Sequence, residues 1–216
     1  SPPRGSCSTE ARGRRRMMMR CSLTSPFGRK VQVAARHLGL IDRIEIVPAD
    51  TLDPSDPLVA DNPLGKMPVL VLDDGRCLYD SRVILEHLDH LAGGGRILPL
   101  DWDGRLAALT LQALADGILD ASLLVLYEGR RPKGERSRSW TERQCGKIRR
   151  GLAALDRTPP DPQDITVGTI TVACMLNQLD RRKPVEWRPQ HQSLVLWLDA
   201  FAAATPAFAA TMAAAG

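Results

Sequence analysis

The apolar positions of residues 17–91 change their period several times, and each change predicts an element. Met18–Leu23 is a short apolar run that reads as a strand. Val31, Ala34, Ala35 and Leu38 then recur at helical spacing, and Gly39 supplies the stop. Ile44–Val47 predicts a second strand, and Asp53-Pro54-Ser55-Asp56-Pro57 a loop. Val69–Leu72 and Arg76–Tyr79, parted by Asp73-Asp74-Gly75, predict a hairpin. Ser81–Leu91 carries Val83, Ile84, Leu88 and Leu91 on one side and predicts a helix. The expected order is βαβ–ββα.

After Gly93-Gly94-Gly95 the pattern is helical to the end. Leu106–Tyr127 and Thr141–Leu155 predict helices. Asp161-Pro162-Gln163-Asp164 resembles a capping box that opens a third, Ile165–Leu179. Ser193–Ala204 predicts a fourth. The expected division is a disordered tail over 1–16, an α/β unit over 17–92, a linker over 93–100 and an all-helical unit over 101–216.

Charge changes this picture only at the start of the chain. The net charge is +4, and residues 1–16 supply it: five arginines against Glu10 give 5 − 1 = +4. The remainder balances to zero, which argues against nucleic-acid binding by the body. The tail reads as an expression remnant or an upstream start, with an organelle transit peptide as the alternative. No secretory apolar core and no apolar run of about 18 residues is evident, so the expectation is a cytoplasmic chain without a membrane partner. The five cysteines are widely spaced without a CxxC, and the four histidines lack metal-like spacing and read as surface residues. No metal is expected.

Three junctions carry candidate chemistry. Ser25-Pro26 is a helix start: a hydroxyl that accepts from first-turn amides, then a proline where no amide is needed. The same geometry puts a hydroxyl at the positive end of a helix dipole, where an anion such as a thiolate is stabilised. Met67-Pro68 stands at the entry of the third strand. A trans bond is the default, and a cis bond would offer the Met67 backbone to an extended peptide. Asp80-Ser81 begins a helix, where Ser81 either caps it or joins its amides in holding a carboxylate. Asp116 and Asp120 stand one turn apart on an apolar helix and each calls for a basic partner or a cap at an interface. Cys21, inside the first strand, reads as a small buried hydrophobe.

Taken together these stretches resemble the cytosolic glutathione transferases, most of all bacterial forms near the theta and tau classes. The matching segments are Leu23–Val31, Asn62–Leu70, Tyr79–His87, Ala113–Asp120 and Thr205–Met212. The resemblance implies a thioredoxin-like N-terminal domain, an all-α C-terminal domain, a homodimer, and glutathione as co-substrate. It implies that Ser25, with Thr24 as its neighbour, is the catalytic hydroxyl that favours the glutathione thiolate. It implies that Met67 and Pro68 hold the cysteinyl backbone, Asp80 and Ser81 the γ-glutamyl end, and Lys66 the glycyl carboxylate. Tyr127 and Trp140 are candidates either for the pocket of a small hydrophobic electrophile or for core packing, and Asp116 for the glutathione amino group of a partner subunit. The first tyrosine is Tyr79 and position 25 is not cysteine, so the tyrosine- and cysteine-dependent classes do not fit. The connection Asp156–Pro160 is short for the family.

The implied activity is transfer of the glutathione sulfur to an electrophile, or glutathione-dependent peroxide reduction. The other class consistent with these residues is a binding or regulatory protein without turnover.

Overall fold

The computed structural model describes residues 16–22 and 24–212; the expected tail below Arg16, and Leu23 at the end of the first predicted strand, lie outside them. Strands β1 (Met17–Cys21), β2 (Ile44–Pro48), β3 (Val69–Val71) and β4 (Cys77–Leu78) form one sheet in the order β2-β1-β3-β4. β1 pairs parallel with β2 and antiparallel with β3, and β3 pairs antiparallel with β4. The parallel pair is joined by helix α1 (Pro26–His37), as a crossover requires. Met17, Met19 and Cys21 alternate into the core while Met18 and Arg20 are half-buried.

α1 ends as the sequence predicts. Gly39 takes a positive φ of 71°, and Leu40 N–H reaches back to Ala35 O at 2.7 Å. A short helix α2 (Leu58–Asp61), which the sequence pattern does not announce, follows the acidic loop, and α3 is Ser81–Leu91. The expected βαβ–ββα order is thus present with α2 added.

The helical half holds α4 (Trp102–Arg130), α5 (Arg138–Arg157), α6 (Val167–Arg182), α7 (Gln192–Ala204) and α8 (Pro206–Met212). α6 is buried on nearly every side, which makes it the axis against which α4 and α1 pack. Its start corrects the expectation. Thr166 is the cap, and it exchanges hydrogen bonds with Thr169 in a reciprocal box. Asp161 instead accepts from Gln163 N–H at 2.9 Å in a local turn.

α4 contains the expected Leu106–Tyr127 helix and extends it at both ends. Over its most apolar 18 residues its mean hydropathy of 1.6 would suit a bilayer, yet it packs on α5 and α6 and carries the buried Asp116. The glycine-rich junction is pinned. Buried Asp89 accepts from the N–H groups of Gly95, Arg96 and Ile97 at 2.8–2.9 Å, and Ile97 O accepts from Val167 N–H. The short 156–160 connection is fastened to α7: Trp197 Nε1 donates to Pro160 O at 2.7 Å, and His191 sits 3.2 Å from Asp156. His191, His37 and His87 are half-buried and not surface residues; His90 alone of the four is exposed.

Candidate functional site

The free amides at the start of α1 set the first wall of the site. Ser25 is in extended conformation and its Oγ accepts from Gly28 N–H at 3.2 Å, while Pro26 opens the helix. A serine hydroxyl has one proton and two lone pairs. The cap uses a lone pair only, so the proton stays available to a second acceptor. Thr24 is exposed, and its hydroxyl lies 3.4 Å from that of Ser22. α1 sits close on β1: a Cβ at position 28 would stand 2.9 Å from Cys21 Cβ. Cys21 itself is sealed, and its burial pushes the thiol up to about 11, with the Gln32 hydrogen bond opposing. It is the inert small residue expected.

The second wall is the loop before β3. The Met67–Pro68 bond is cis. Pro68 stands just before the strand, where its missing amide costs no ladder bond. The residue that shapes this loop, Asn62, is one that sequence reasoning missed. Asn62 is buried, and it donates from Nδ2 to Lys66 O at 2.8 Å and accepts at Oδ1 from Leu64 N–H. Its signal was its place before Pro63, at the head of a turn. Met67 Sδ accepts from Ser22 N–H at 3.0 Å, joining the two walls. The Lys66 side chain is exposed.

The third wall is the start of α3. Here the capping reading of Ser81 is corrected. Asp80 is the cap, accepting from Arg82 N–H at 2.9 Å, and Ser81 is the first helical residue, buried. Burial works to raise the Asp80 carboxyl, but hydrogen bonds from the Arg82 side chain and N–H, with the Arg82 and Lys30 charges, hold it below the usual range.

These walls enclose one cavity of about 610 Å³. Ser25, Thr24, Lys66, Met67, Pro68, Asp80 and Ser81 all line it. Two helix N-termini, of α1 and α3, therefore open on one space, which favours an anionic ligand. The far side comes from α4 and α6, with Asp116, Asp120, Tyr127 and Gln178 among the lining residues. Trp140 does not line it. That side chain stands in the first turn of α5, exposed and away from the cavity. Asp116 meets Lys30 of α1 in a buried ion pair at 2.6 Å. Burial pushes the Lys30 ammonium down and the Asp116 carboxyl up from their ordinary values, each against the pull of the other charge. Among the described residues no cluster of three or more His, Cys, Asp or Glu side chains suits a metal ion.

Comparison with known proteins places this arrangement. Residues 24–91 match the family model for the glutathione S-transferase N-terminal domain. The chain is 33% identical over 166 residues to an uncharacterised GST-like protein, YibF, of Escherichia coli, covering 75% of this chain and 81% of that one. A Pseudomonas fluorescens Pf-5 glutathione transferase family member, solved with bound glutathione, is 40% identical with a TM-score of 0.84, covering 90% of this chain and 98% of that one. It was also solved with S-(propanoic acid)-glutathione. A glutathione S-transferase of Methylobacillus flagellatus with glutathione bound is 36% identical with a TM-score of 0.82, over 90% of this chain and 98% of that one. With a thioredoxin-like sheet, a helical second half and relatives matched over most of their length, the chain belongs to the glutathione S-transferase family.

Proposed function

We propose that the protein binds glutathione and transfers its sulfur to an electrophile. One observation carries this reading: Ser25, Met67-Pro68 and Asp80-Ser81, from three separate segments, line a single cavity at two helix N-termini. Glutathione lies with its γ-glutamyl carboxylate on the α3 amides and Ser81, its cysteinyl backbone along Met67, and its glycyl carboxylate toward Lys66. The Ser25 hydroxyl donates to the sulfur while still accepting from Gly28.

That hydrogen bond, with the α1 dipole, favours thiolate over thiol and makes a nucleophile at neutral pH. The thiol proton leaves to solvent. The sulfur lone pair forms the new S–C bond, and the electron pair of the bond broken at that carbon leaves with the departing group or moves into the acceptor. With a hydroperoxide, the sulfur attacks the terminal oxygen, the O–O bond breaks and the alkoxide leaves as the alcohol with a solvent proton, which leaves a glutathione sulfenic acid. The thiol of a second glutathione then displaces its hydroxyl as water, so that the peroxide is reduced and the two glutathiones are oxidised to the disulfide. The Pseudomonas relative's conjugate motivates an S-substituent with a carboxylate as one the cavity admits. We also take a homodimer as the assembly; exposed Leu106, Leu114 and the groove they share with Leu155 give α4 and α5 an apolar face to bury.

The test is binding followed by turnover. Glutathione at several millimolar is expected to raise the melting temperature by mass action, and a panel of aryl halides, enones and hydroperoxides to show turnover. No thermal shift and no calorimetric heat at that concentration overturns the reading. Binding without turnover on any of them replaces it with a glutathione-binding protein.

A further inference from the structure

The cavity's charges do not balance once its ion pairs are assigned. Of its carboxylates, Asp80 pairs with Arg82 at 2.9 Å and Asp116 with Lys30 at 2.6 Å. Asp120 makes no ion pair among the described residues, and its charge acts on Arg82 and Asp116. Lys66, Arg130 and Arg182 line the same cavity, and none of these three cations has a carboxylate within ion-pair distance among the described residues. Lys66 belongs to the sheet side. Arg130 and Arg182 come from the last turns of α4 and α6 and reach the same cavity from the helical side.

Each arginine has a companion one turn earlier on its helix, on the same face. Arg130 stacks over the Tyr127 ring at 5.6 Å, which holds the guanidinium in place. Gln178, four residues before Arg182, lines the cavity at 3% exposure, and its Nε2 is buried without a partner. A buried donor left without a partner costs stability. The torsion about the Gln178 Cγ–Cδ bond is soft, so the N–H can turn to a ligand oxygen.

We infer that the electrophile carries a carboxylate, which Arg130 and Arg182 bind on the helical side of the cavity with Gln178 as a neutral donor beside them. The inference rests on the glutathione reading and narrows it, from a purely apolar second substrate to one with an anionic end. Guanidinium forks match carboxylate geometry and stay charged at every working pH. Both arginines are exposed, so their selectivity is moderate and salt-dependent.

The experiment compares two glutathione conjugates of similar reach, S-hexylglutathione and S-(5-carboxypentyl)glutathione, by calorimetry on the whole protein at low and high salt. The carboxylated conjugate is expected to bind about tenfold tighter at low salt, as for one charge-assisted contact at a half-open site. The preference is expected to fall close to unity in Arg130→Gln/Arg182→Gln, with glutathione affinity unchanged. Gln178→Leu is expected to cut the preference about threefold without lowering the melting temperature, since it removes an unpaired buried donor. If wild type binds glutathione but prefers neither conjugate, or prefers the hexyl one, the inference is overturned. A preference that survives in the double arginine variant overturns the assignment, and one untouched by Gln178→Leu removes Gln178 from it. Failure of glutathione itself to bind overturns the underlying reading instead.

Discussion

Lys30 of α1 and Asp116 of α4 stand 86 residues apart in sequence and 2.6 Å apart in space, with the ammonium wholly sealed from water. The pair ties the α/β half to the helical half, and Asp116 also faces the cavity. Its value lies less in net stability than in the penalty that arises when either charge loses its partner. Desolvating two ions nearly cancels their attraction, but an unpaired buried ion is costly.

Lys30→Met is therefore expected to destabilise by about 3–5 kcal/mol, whereas Lys30→Met/Asp116→Leu recovers most of that loss. Urea unfolding of the two variants and wild type checks this. A single variant no worse than the double one contradicts the role given to the pair.

Ser25→Ala removes the cap and the donor together. We expect a stability loss of about 1 kcal/mol, and a rise in the bound thiol's pKa by about one to two units, from a lost hydrogen bond to a charged group. Ser25→Gly separates the effects, since glycine costs the cap only a few tenths of a kcal/mol. It should keep stability and show the same rise in the thiol pKa. Ultraviolet titration of the glutathione complex reads the thiolate directly. An unshifted titration in both variants, with a shift in Thr24→Ala, moves the role to Thr24.

Ser81→Ala is expected to raise KM for glutathione while kcat holds, at a cost of about 1–3 kcal/mol in binding. The γ-glutamyl carboxylate keeps its charge throughout the reaction, so its contacts are equal in ground and transition states. Because Asp80 and not Ser81 caps α3, the substitution should leave the melting temperature near wild type. Steady-state kinetics with varied glutathione checks this; a fall in kcat at constant KM refutes the assignment.

The buried thiols give a pH signature. Burial raises Cys21 and Cys174 from 9.0 to about 11. Between those values the folded chain holds more protons than the unfolded one, so stability is full below pH 9 and falls as pH rises toward 11. Two pKa units correspond to about 2–3 kcal/mol per thiol. Lys30, lowered by burial, pushes the other way. The readout is thus the difference between wild type and Cys21→Ala/Cys174→Ala in denaturant at pH 8 to 11, and that difference should narrow with pH. A gap constant over the range counts against the burial account.

Much of the α/β half is legible in the sequence because its signals are local. Ser25-Pro26, Gly39 and the Asp73–Gly75 turn each act within a few residues, and so do the alternating methionines of β1. The start of α6 misleads because Asp161-Pro162 imitates a cap; the true cap uses two threonines, whose branched side chains lower helix propensity and hide the signal. The near walls of the site are readable from the motifs at 24–25, 66–68 and 80–81. Of its far wall only Asp116 and Tyr127 are. Arg130 and Arg182 read in sequence as ordinary cations at helix C-termini, which offset the dipole. Only the crossing of α4 and α6 brings both to one opening. Trp140 fails for the same reason in reverse: α5 starts too far from that opening.

The tight seat of Gly28 against Cys21 has a consequence for how finely the site can be tuned. The residue that donates to the Ser25 hydroxyl is the very one that touches the sheet. Position 28 thus acts as a gauge block between strand and hydroxyl. A methyl group there would lift the whole first turn, and the shift would arrive undamped at the oxygen that faces the ligand. In the function proposed above, the position of the Ser25 hydroxyl is therefore adjusted from beneath, by the thickness of what lies between helix and strand, as much as by any group inside the cavity.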